Sequence, residues 1–504
     1  MPLTAAAAPT STEFPTDTAR ALAAATFDRT ARLGAQHTDF RLSRRRKLEV
    51  FVRDRRPQGG EDNAELGLGI RVLVDGVWGF AAEAELTAAA AVRAAERACA
   101  TARMLRPLRG KPVELAPEPV YHDGCWSSSY QIDPFEMPSA ERVATLQDWS
   151  DLLLKSPDVD HVLAKLVVCR EDKFYADAAG TSTTQRRIWL HPMVTAVRLG
   201  RGSAGFQTMR TVGPPVARGW EYLTGSGWDW AGELAALPEW LAGKAAGPSG
   251  PTGTFDLVID PTNLWLTIHE SIGHATELDR VLGYEAAYAG TSFAGIDQLG
   301  TLRYGSPIMN VTADRTTESG LATIGYDDEG VATQSWDLIR DGVLVGYQVD
   351  RQTAATVGLA RSNGCGYADS FAHPPVARMA NVSLRPAPAG PDTSELISAV
   401  SDGVYVVGDN SWSIDMQRYN FQFTGQRFYR IRHGRLAGQL RDVAYQGCTP
   451  QFWNSLRALG GPQTYLLSGA SLCGKAQPGQ LAAVSHGCPA ALFEGVELLN
   501  TASR

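Results

Sequence analysis

The sequence predicts an α+β chain: an amino-terminal α/β domain with antiparallel strands, then a large β-rich domain, barrel- or sandwich-like, that carries one helix bearing clustered histidines. Helical and strand-like periodicities mix in the first half, whereas short strands punctuated by Gly and Asp dominate the second. Between them, KAAGPSGPTG at Lys244 to Gly253 has a linker's composition. At 504 residues the chain exceeds one ordinary domain. The expected division is a disordered tail over 1–17, an α+β domain over 18–243, a linker over 244–253 and a β-rich domain over 254–504.

Taken in order, a helix is expected from Thr18 to Leu33 and a strand from Leu48 to Asp54. GIRVLVDGVWGFAAE reads as a hairpin turning at Asp75-Gly76. An alanine-rich helix follows from Glu85 to Leu105, and another helix from Ser139 to Lys155. HDGCW at His122 to Trp126 spaces a histidine and a cysteine like a metal fragment, but no second pair lies nearby, which favours a structural role. Asp160 to Arg198 reads as antiparallel strands with a hairpin near Asp172-Lys173, followed by a glycine-rich stretch from Gly200. A helix from Asp229 to Leu241 closes the first half. In the second half, FDLVID at Phe255 to Asp260 is a buried strand, and Asp341-Gly342 marks a hairpin turn.

Composition narrows the function. Apolar content of 44% and charged content of 20% indicate a globular protein. A formal net charge of -7 gives no general attraction to nucleic acid. The basic run Arg44 to Lys47 reads as a solvated strand entry rather than a nucleic-acid patch. Seven scattered cysteines without a paired CxxC argue against a disulfide scaffold. No signal-like opening and no long apolar run is present, so a cytoplasmic location without a membrane partner is expected.

The chemistry concentrates in IHESIGHATELDR, from Ile268 to Arg280. Asp260 is placed to cap a helix with Pro261 at its first position, and the helix would run through NLWLTIHESIGH. His269, Glu270 and His274 then sit on an ordered element, and two histidines with a carboxylate between them can hold a metal and work a water molecule. The histidines are five positions apart, which in a regular helix is about 140° of rotation. The helix must therefore end or bulge between them, and Gly273 is the residue that permits it. The bland alternative is a helix with two unrelated histidines and a surface glutamate. A catalytic zinc site needs a third protein ligand. His373, His433, His486, several acids and Cys473 all remain open on chemistry alone. Asp314, Glu318, Asp327, Asp328 and Glu329 form an acidic group that reads as solvated turns, or else as partners of the metal histidines.

The stretch resembles the metalloprotease motif of the TldD/PmbA family of metallopeptidases, often called modulators of DNA gyrase. GLGIRVLVDGVWGFAAEAEL from Gly67 is similar to the family's amino-terminal signature. SPIMNVTAD, GYDDEG, GVLVGYQVDRQTA, MANVSLRP, SWSIDMQRYNFQF and LCGKAQPGQ resemble family segments in the expected order, so the likeness covers nearly the whole chain from about residue 19. It implies the catalytic TldD-like type, with one Zn2+ per active chain held by His269, His274 and Cys473, and Glu270 as general base. Cys488 is not assigned to the metal. The implied substrate is a peptide or unfolded polypeptide segment, bound in a homodimer or in a heterodimer with a TldE/PmbA-like homologue. An exposed β-edge would suit such a substrate as an added strand. The run after the second histidine, ATELDR, departs from other members and leaves substrate and partner choice open. The rival readings are a non-hydrolytic peptide-binding or regulatory subunit with a structural metal, and a metal-dependent amidase acting on small molecules.

Overall fold

Long antiparallel strands build the first half of the molecule. The computed structural model describes residues 13–108, 110–200 and 206–502. Residues 1–12 of the expected tail and 201–205 of the glycine-rich stretch lie outside the described residues. The strands are β1 (His37–Arg53), β2 (Arg56–Val74), β3 (Val77–Glu83), β4 (Gly124–Ser127), β5 (His161–Asp177), β6 (Ser182–Leu199) and β7 (Phe206–Arg210). They form one sheet in the order β3-β2-β1-β5-β6-β4, with β7 also on β6. The turn joining β2 and β3 falls at Asp75-Gly76 as expected, and both residues have positive φ, 52° and 72°.

Helices α1 (Thr16–Arg32), α2 (Ala88–Leu105), α3 (Ser139–Leu153) and α4 (Trp230–Ala246) cover this sheet. The alanine stripe of α2, from Ala91 through Ala102, packs with Phe40, Leu42, Ile70 and Val72 of the sheet. Small side chains allow the helix to lie close: a Cβ on Gly79 of β3 would stand 2.0 Å from the Ala98 carbonyl oxygen. Leu146, Leu153, Leu234, Leu237 and Leu241 of α3 and α4 build a second core with Val50, Val162 and Leu166. Asp229 caps α4, which runs on through Lys244 to Ala246, residues expected in the linker.

Two expectations fail here for one physical reason. No hairpin forms at Asp172-Lys173; β5 passes straight through, and the chain turns at 178–181. The basic run at Arg44 is not a solvated strand entry but the middle of β1. Arg44, Asp172 and Lys173 are buried and paired, while Arg45, Arg46 and Lys47 are half-buried. Arg44 holds Asp172 through Nε and Nη2 at 3.0 and 2.9 Å, and Lys173 reaches Asp328 at 2.6 Å. Charges satisfied across a sheet do not interrupt a strand.

The second half opens with β8 (Gly253–Ile259) and α5 (Pro261–Ile268), followed by α6 (Leu278–Val281). Short strands come next: β9 (Val311–Asp314), β10 (Ser335–Arg340), β11 (Val343–Leu344), β12 (Gly366–Tyr367), β13 (Val376–Ala377) and β14 (Asn381–Leu384). Of these, β11-β10-β9-β14 make one sheet and β12-β13 a small pair. The turn at Asp341-Gly342 between β10 and β11 is present, with φ of 49° and 76°. The remaining strands are β15 (Asp402–Ile414), β16 (Asn420–Arg432), β17 (Arg435–Leu440), β18 (Val443–Cys448), β19 (Leu456–Leu459), β20 (Leu466–Lys475), β21 (Gln480–Cys488) and β22 (Ala491–Asn500). The order β15-β8-β22-β18-β16 closes on itself because β15 also pairs with β16, so the β-rich part contains a closed barrel. Barrel residues Val404, Val406, Phe421, Phe423 and Tyr445 share one core with Leu264, Trp265, Leu266 and Ile268 of α5. Full burial of each such side chain contributes about 1.5–3 kcal/mol. The hairpin of β20 and β21 flanks α5 on another side and brings Cys473 and His486 to it.

The acidic group at 314–329 is not a set of solvated turns throughout, nor does it hydrogen-bond to His269 or His274. Asp328 pairs with Lys173 and Glu329 with Arg71 at 2.9 Å, joining the second half to the first sheet. Asp327 accepts from the Glu329 and Val331 amides, and burial beside Glu329 pushes its carboxyl up to about 8. Glu318 is exposed and Asp314 half-buried.

Candidate metal centre

Strand β8 delivers the chain to the site. Asp260 caps α5 by accepting from the Thr262 amide at 3.0 Å, and Pro261 takes the first helical position, where its missing N–H costs nothing. Every residue of α5 is buried. Regular helix stops at Ile268. From His269 to Gly273 the backbone widens into a π turn, and the His274 amide donates to the His269 carbonyl, five residues back. That widening puts both imidazoles on one face, with ring centroids 4.7 Å apart. The expected bulge is thus present.

Its support is partly local and partly tertiary. The Ser271 carbonyl accepts from the Tyr304 hydroxyl, the Gly273 carbonyl from Gln348 Nε2 at 2.7 Å, and the Ile272 carbonyl from Thr276 Oγ1 at 2.8 Å. Gly273 has helical φ and ψ of -53° and -60°, so it is not there for an unusual backbone. It is there for space, because an added Cβ would meet Met379 Sδ at 3.0 Å.

Cys473 arrives from β20, beyond a bulge after Ala470. Among the described residues, His269, His274 and Cys473 place one ligand atom each within 4.8 Å of one another, and all three are buried. Cys473 Sγ stands 3.4 Å from His274 Nε2. Tetrahedral zinc with nitrogen ligands near 2.0 Å and sulfur near 2.3 Å sets ligand atoms about 3.4–3.6 Å apart, so this pair is already spaced as such an edge.

The surrounding hydrogen bonds fix how the rings face. His486 Nδ1 lies 2.9 Å from the Val382 carbonyl and must donate to it, so His486 Nε2 can only accept. His269 Nδ1, 2.7 Å away, therefore donates, and its Nε2 keeps a lone pair. His274 Nδ1 donates to Glu277 Oε2 at 2.8 Å, which leaves its Nε2 facing the thiol. Burial pushes both imidazoles below their ordinary range and keeps them neutral, the form that binds a metal. For Cys473, burial raises the thiol, but the Arg378 guanidinium and His274 outweigh it and hold the thiol below its ordinary value. Glu277 is opposed by burial yet held well below the usual carboxylate range by Lys475, His274 and Arg280. Two imidazoles and an acidified thiol, oriented in this way, fit a divalent metal ion.

Glu270 follows His269 on the π turn and is also buried. Its Oε2 accepts from Arg418 Nη1 at 2.8 Å, while Arg418 Nη2 donates to the Ala289 carbonyl at 3.0 Å. Arg418 stands in the turn between β15 and β16 with φ of 61°.

The third-ligand alternatives fall elsewhere. His486 backs His269 instead of joining the ligand atoms. His373 bonds Asp369 at 2.7 Å, and His433 is exposed in the turn between β16 and β17. Cys488 points at the Pro261 carbonyl, 3.7 Å away, and burial raises its thiol well above the ordinary range. Of HDGCW, Cys125 lies exposed on β4. The sequence reading missed Glu277 and Arg418, and it weighed His486 only as a third ligand and not as the partner of His269. Only Glu277 left a local signal, an acid three positions beyond His274 inside the run that departs from other members.

The model of the PmbA/TldA metallopeptidase C-terminal domain matches residues 252–499, and that of PmbA/TldA metallopeptidase domain 1 matches residues 38–102. The chain belongs to the PmbA/TldD metallopeptidase family. Among relatives of this PmbA/TldD chain, a metalloprotease of Methanothermobacter thermautotrophicus is 26% identical over 464 residues, covering 90% of this chain and 93% of the relative. A metalloprotease of Archaeoglobus fulgidus is 28% identical, covering 85% of this chain and 92% of its own. A zinc metalloprotease TldD homologue of Saccharolobus solfataricus is 26% identical over about half of each chain, 51% and 54%. TldE from Thermococcus kodakarensis has the same PmbA/TldD fold, with a TM-score of 0.70, 15% identity, and 95% and 99% of the two chains covered. A Thermotoga maritima structure described as a candidate modulator of a DNA gyrase superposes with a TM-score of 0.75 at 15% identity, covering 95% and 100%.

The hydrogen bond from His269 to His486 gives a direct test of how the ligands are held. His486→Leu removes the acceptor and is expected to weaken metal affinity by about 10- to 100-fold, while His486→Gln, which keeps an acceptor, recovers part of the loss. Competition against a chromophoric chelator measures it, and unchanged affinity in His486→Leu would show that His486 does not hold His269.

Proposed function

We propose that this chain is a zinc-dependent peptidase that hydrolyses peptides or unfolded polypeptide segments. His269, His274 and Cys473 hold the ion and Glu270 is the general base. One observation carries the reading: both imidazoles have Nδ1 engaged and Nε2 left over, beside an acidified thiol. The name of the Saccharolobus relative supports zinc as the metal.

When bound, zinc supplies a Lewis acid that polarises the scissile carbonyl and acidifies a water molecule. Glu270 takes the proton that this water gives up and hands it to the leaving amine. Arg418 grips Oε2 and orients the carboxylate, and Oε1 has no hydrogen bond among the described residues. His486 and Glu277 keep the two ligand rings in the required tautomer. Glu270 has no part in a purely structural zinc site, which favours hydrolysis over the peptide-binding alternative.

Protein stripped of metal, verified by elemental analysis, is expected to lose cleavage of a mixed peptide set and to regain it with added zinc. Full turnover without metal would overturn the mechanism. The reading keeps a division between α4 and β8, within the expected 244–253, supported by a carboxy-terminal family model that opens at residue 252. It includes a dimer, either of this chain or with a TldE/PmbA-like homologue, supported by the likeness to TldE. Light scattering at working concentration should give twice the chain mass, or the mass of the heterodimer once such a homologue is added. An active monomer would count against it. A cytoplasmic location is supported by seven free cysteines, and no helix among the described residues is long and apolar enough to cross a membrane.

A further inference from the structure

We propose that a second ligand site, separate from the metal centre, lies between α4 and the barrel strands β15 to β17, and that it takes a small organic carboxylate with an aromatic body. The cavity there has a volume of about 750 Å³ and is walled by Trp228, Trp240, Tyr405 and Tyr429, with Arg427 among the lining residues. That volume lies in the range of small-molecule sites, about 300–1,000 Å³. None of the metal-centre residues lines it. Asp260 at its wall and His269 are nine residues apart, about 13 Å along a helix.

Arg427 is what the cavity leaves unexplained. It is 7% exposed, and its guanidinium makes no hydrogen bond or ion pair among the described residues. Its Nε and Nη1 are shut off from solvent without an acceptor. Its one strong contact is a stack over the Trp240 ring, 3.6 Å from the centroid. A buried guanidinium is costly when the carboxylates near it, here Asp260 and Glu233, attract it without forming an ion pair. The acids at hand are already engaged. Glu233 accepts from the Val212 amide at 2.5 Å and from Trp228 Nε1 at 2.7 Å. Asp260 spends one oxygen on capping α5 and the other on the Tyr405 hydroxyl at 2.7 Å. Nη2 is the one guanidinium nitrogen not shut off from solvent, and the ligand supplies its acceptor. A carboxylate takes a charge-assisted hydrogen bond from that nitrogen, and the aromatic walls stack on a flat apolar body.

The test uses metal-loaded, full-length protein and reads binding alone, so it stands or falls independently of the peptidase reading. N-acetylphenylalanine and its amide are titrated by calorimetry and by ligand-observed NMR. The acid is expected to saturate, and the amide to bind at least about tenfold more weakly, because it lacks the charge that Arg427 needs. Arg427→Met should weaken the acid by about tenfold or more while the melting temperature holds or rises, since the change removes an uncompensated buried charge. Leu436→Trp, at a residue 47% exposed on the cavity wall, should weaken both compounds. Equal binding of acid and amide, no saturation up to about 10 mM, unchanged affinity in Arg427→Met, or a fall in its melting temperature would each overturn the proposal.

Discussion

Glu270→Gln is expected to keep one metal ion per chain and to lower peptide turnover by about 10²-fold or more, the usual range for a lost acid–base group. Glutamine has nearly the shape of glutamate, and its carbonyl oxygen can still accept from Arg418 Nη1, which stands 2.8 Å from Oε2. The ligand atoms of His269, His274 and Cys473 are untouched, as are the partners that orient the rings. What is lost is the capacity to take a proton. Elemental analysis and turnover on the same preparation separate the two effects. If the variant stayed fully active, Glu270 would not be the base, and the proposed mechanism would be lost with it.

Cys473→Ala should fail differently. It removes one of three ligand atoms and leaves two imidazoles, too few for a tight catalytic site. Metal content and turnover should fall together, and excess zinc should restore part of both by mass action. Cys488→Ala is the control, a buried cysteine whose sulfur faces the Pro261 carbonyl, and its metal content should be unchanged. Full occupancy and full turnover in Cys473→Ala would place the third ligand elsewhere.

The parts of the site that were legible in the sequence are those encoded locally. A β-branched run, an aspartate cap and a proline announce β8 and the start of α5. The five-residue spacing of the histidines announces that the helix cannot stay regular. The way the widened turn is held was not legible, because Tyr304, Gln348 and Met379 reach it from distant segments. The resemblance, rather than any local pattern, singled out Cys473 from the open alternatives. The misread hairpin at Asp172-Lys173 shows the limit of polarity as a turn signal. Both residues lie inside a buried strand, because Arg44 and Asp328 meet them from elsewhere in the chain. The same holds for Asp328 and Glu329, where the sequence shows charge but not the Lys173 and Arg71 that neutralise it.

The ligand atoms of His274 and Cys473 come from positions 199 residues apart, and β8 completes its barrel pairing only with β22, the last strand. Biosynthesis therefore imposes a delay on reactivity. At 5–20 residues per second, roughly 10–40 s separate the synthesis of His274 from that of Cys473. Throughout that interval the growing polypeptide lacks the thiol that completes the ligand set. A ribosome that stalls, or a message cut short before codon 473, yields a product with an incomplete ligand set. Assembly of the three-residue ligand set, and with it the hydrolysis proposed above, thus waits on synthesis through residue 473.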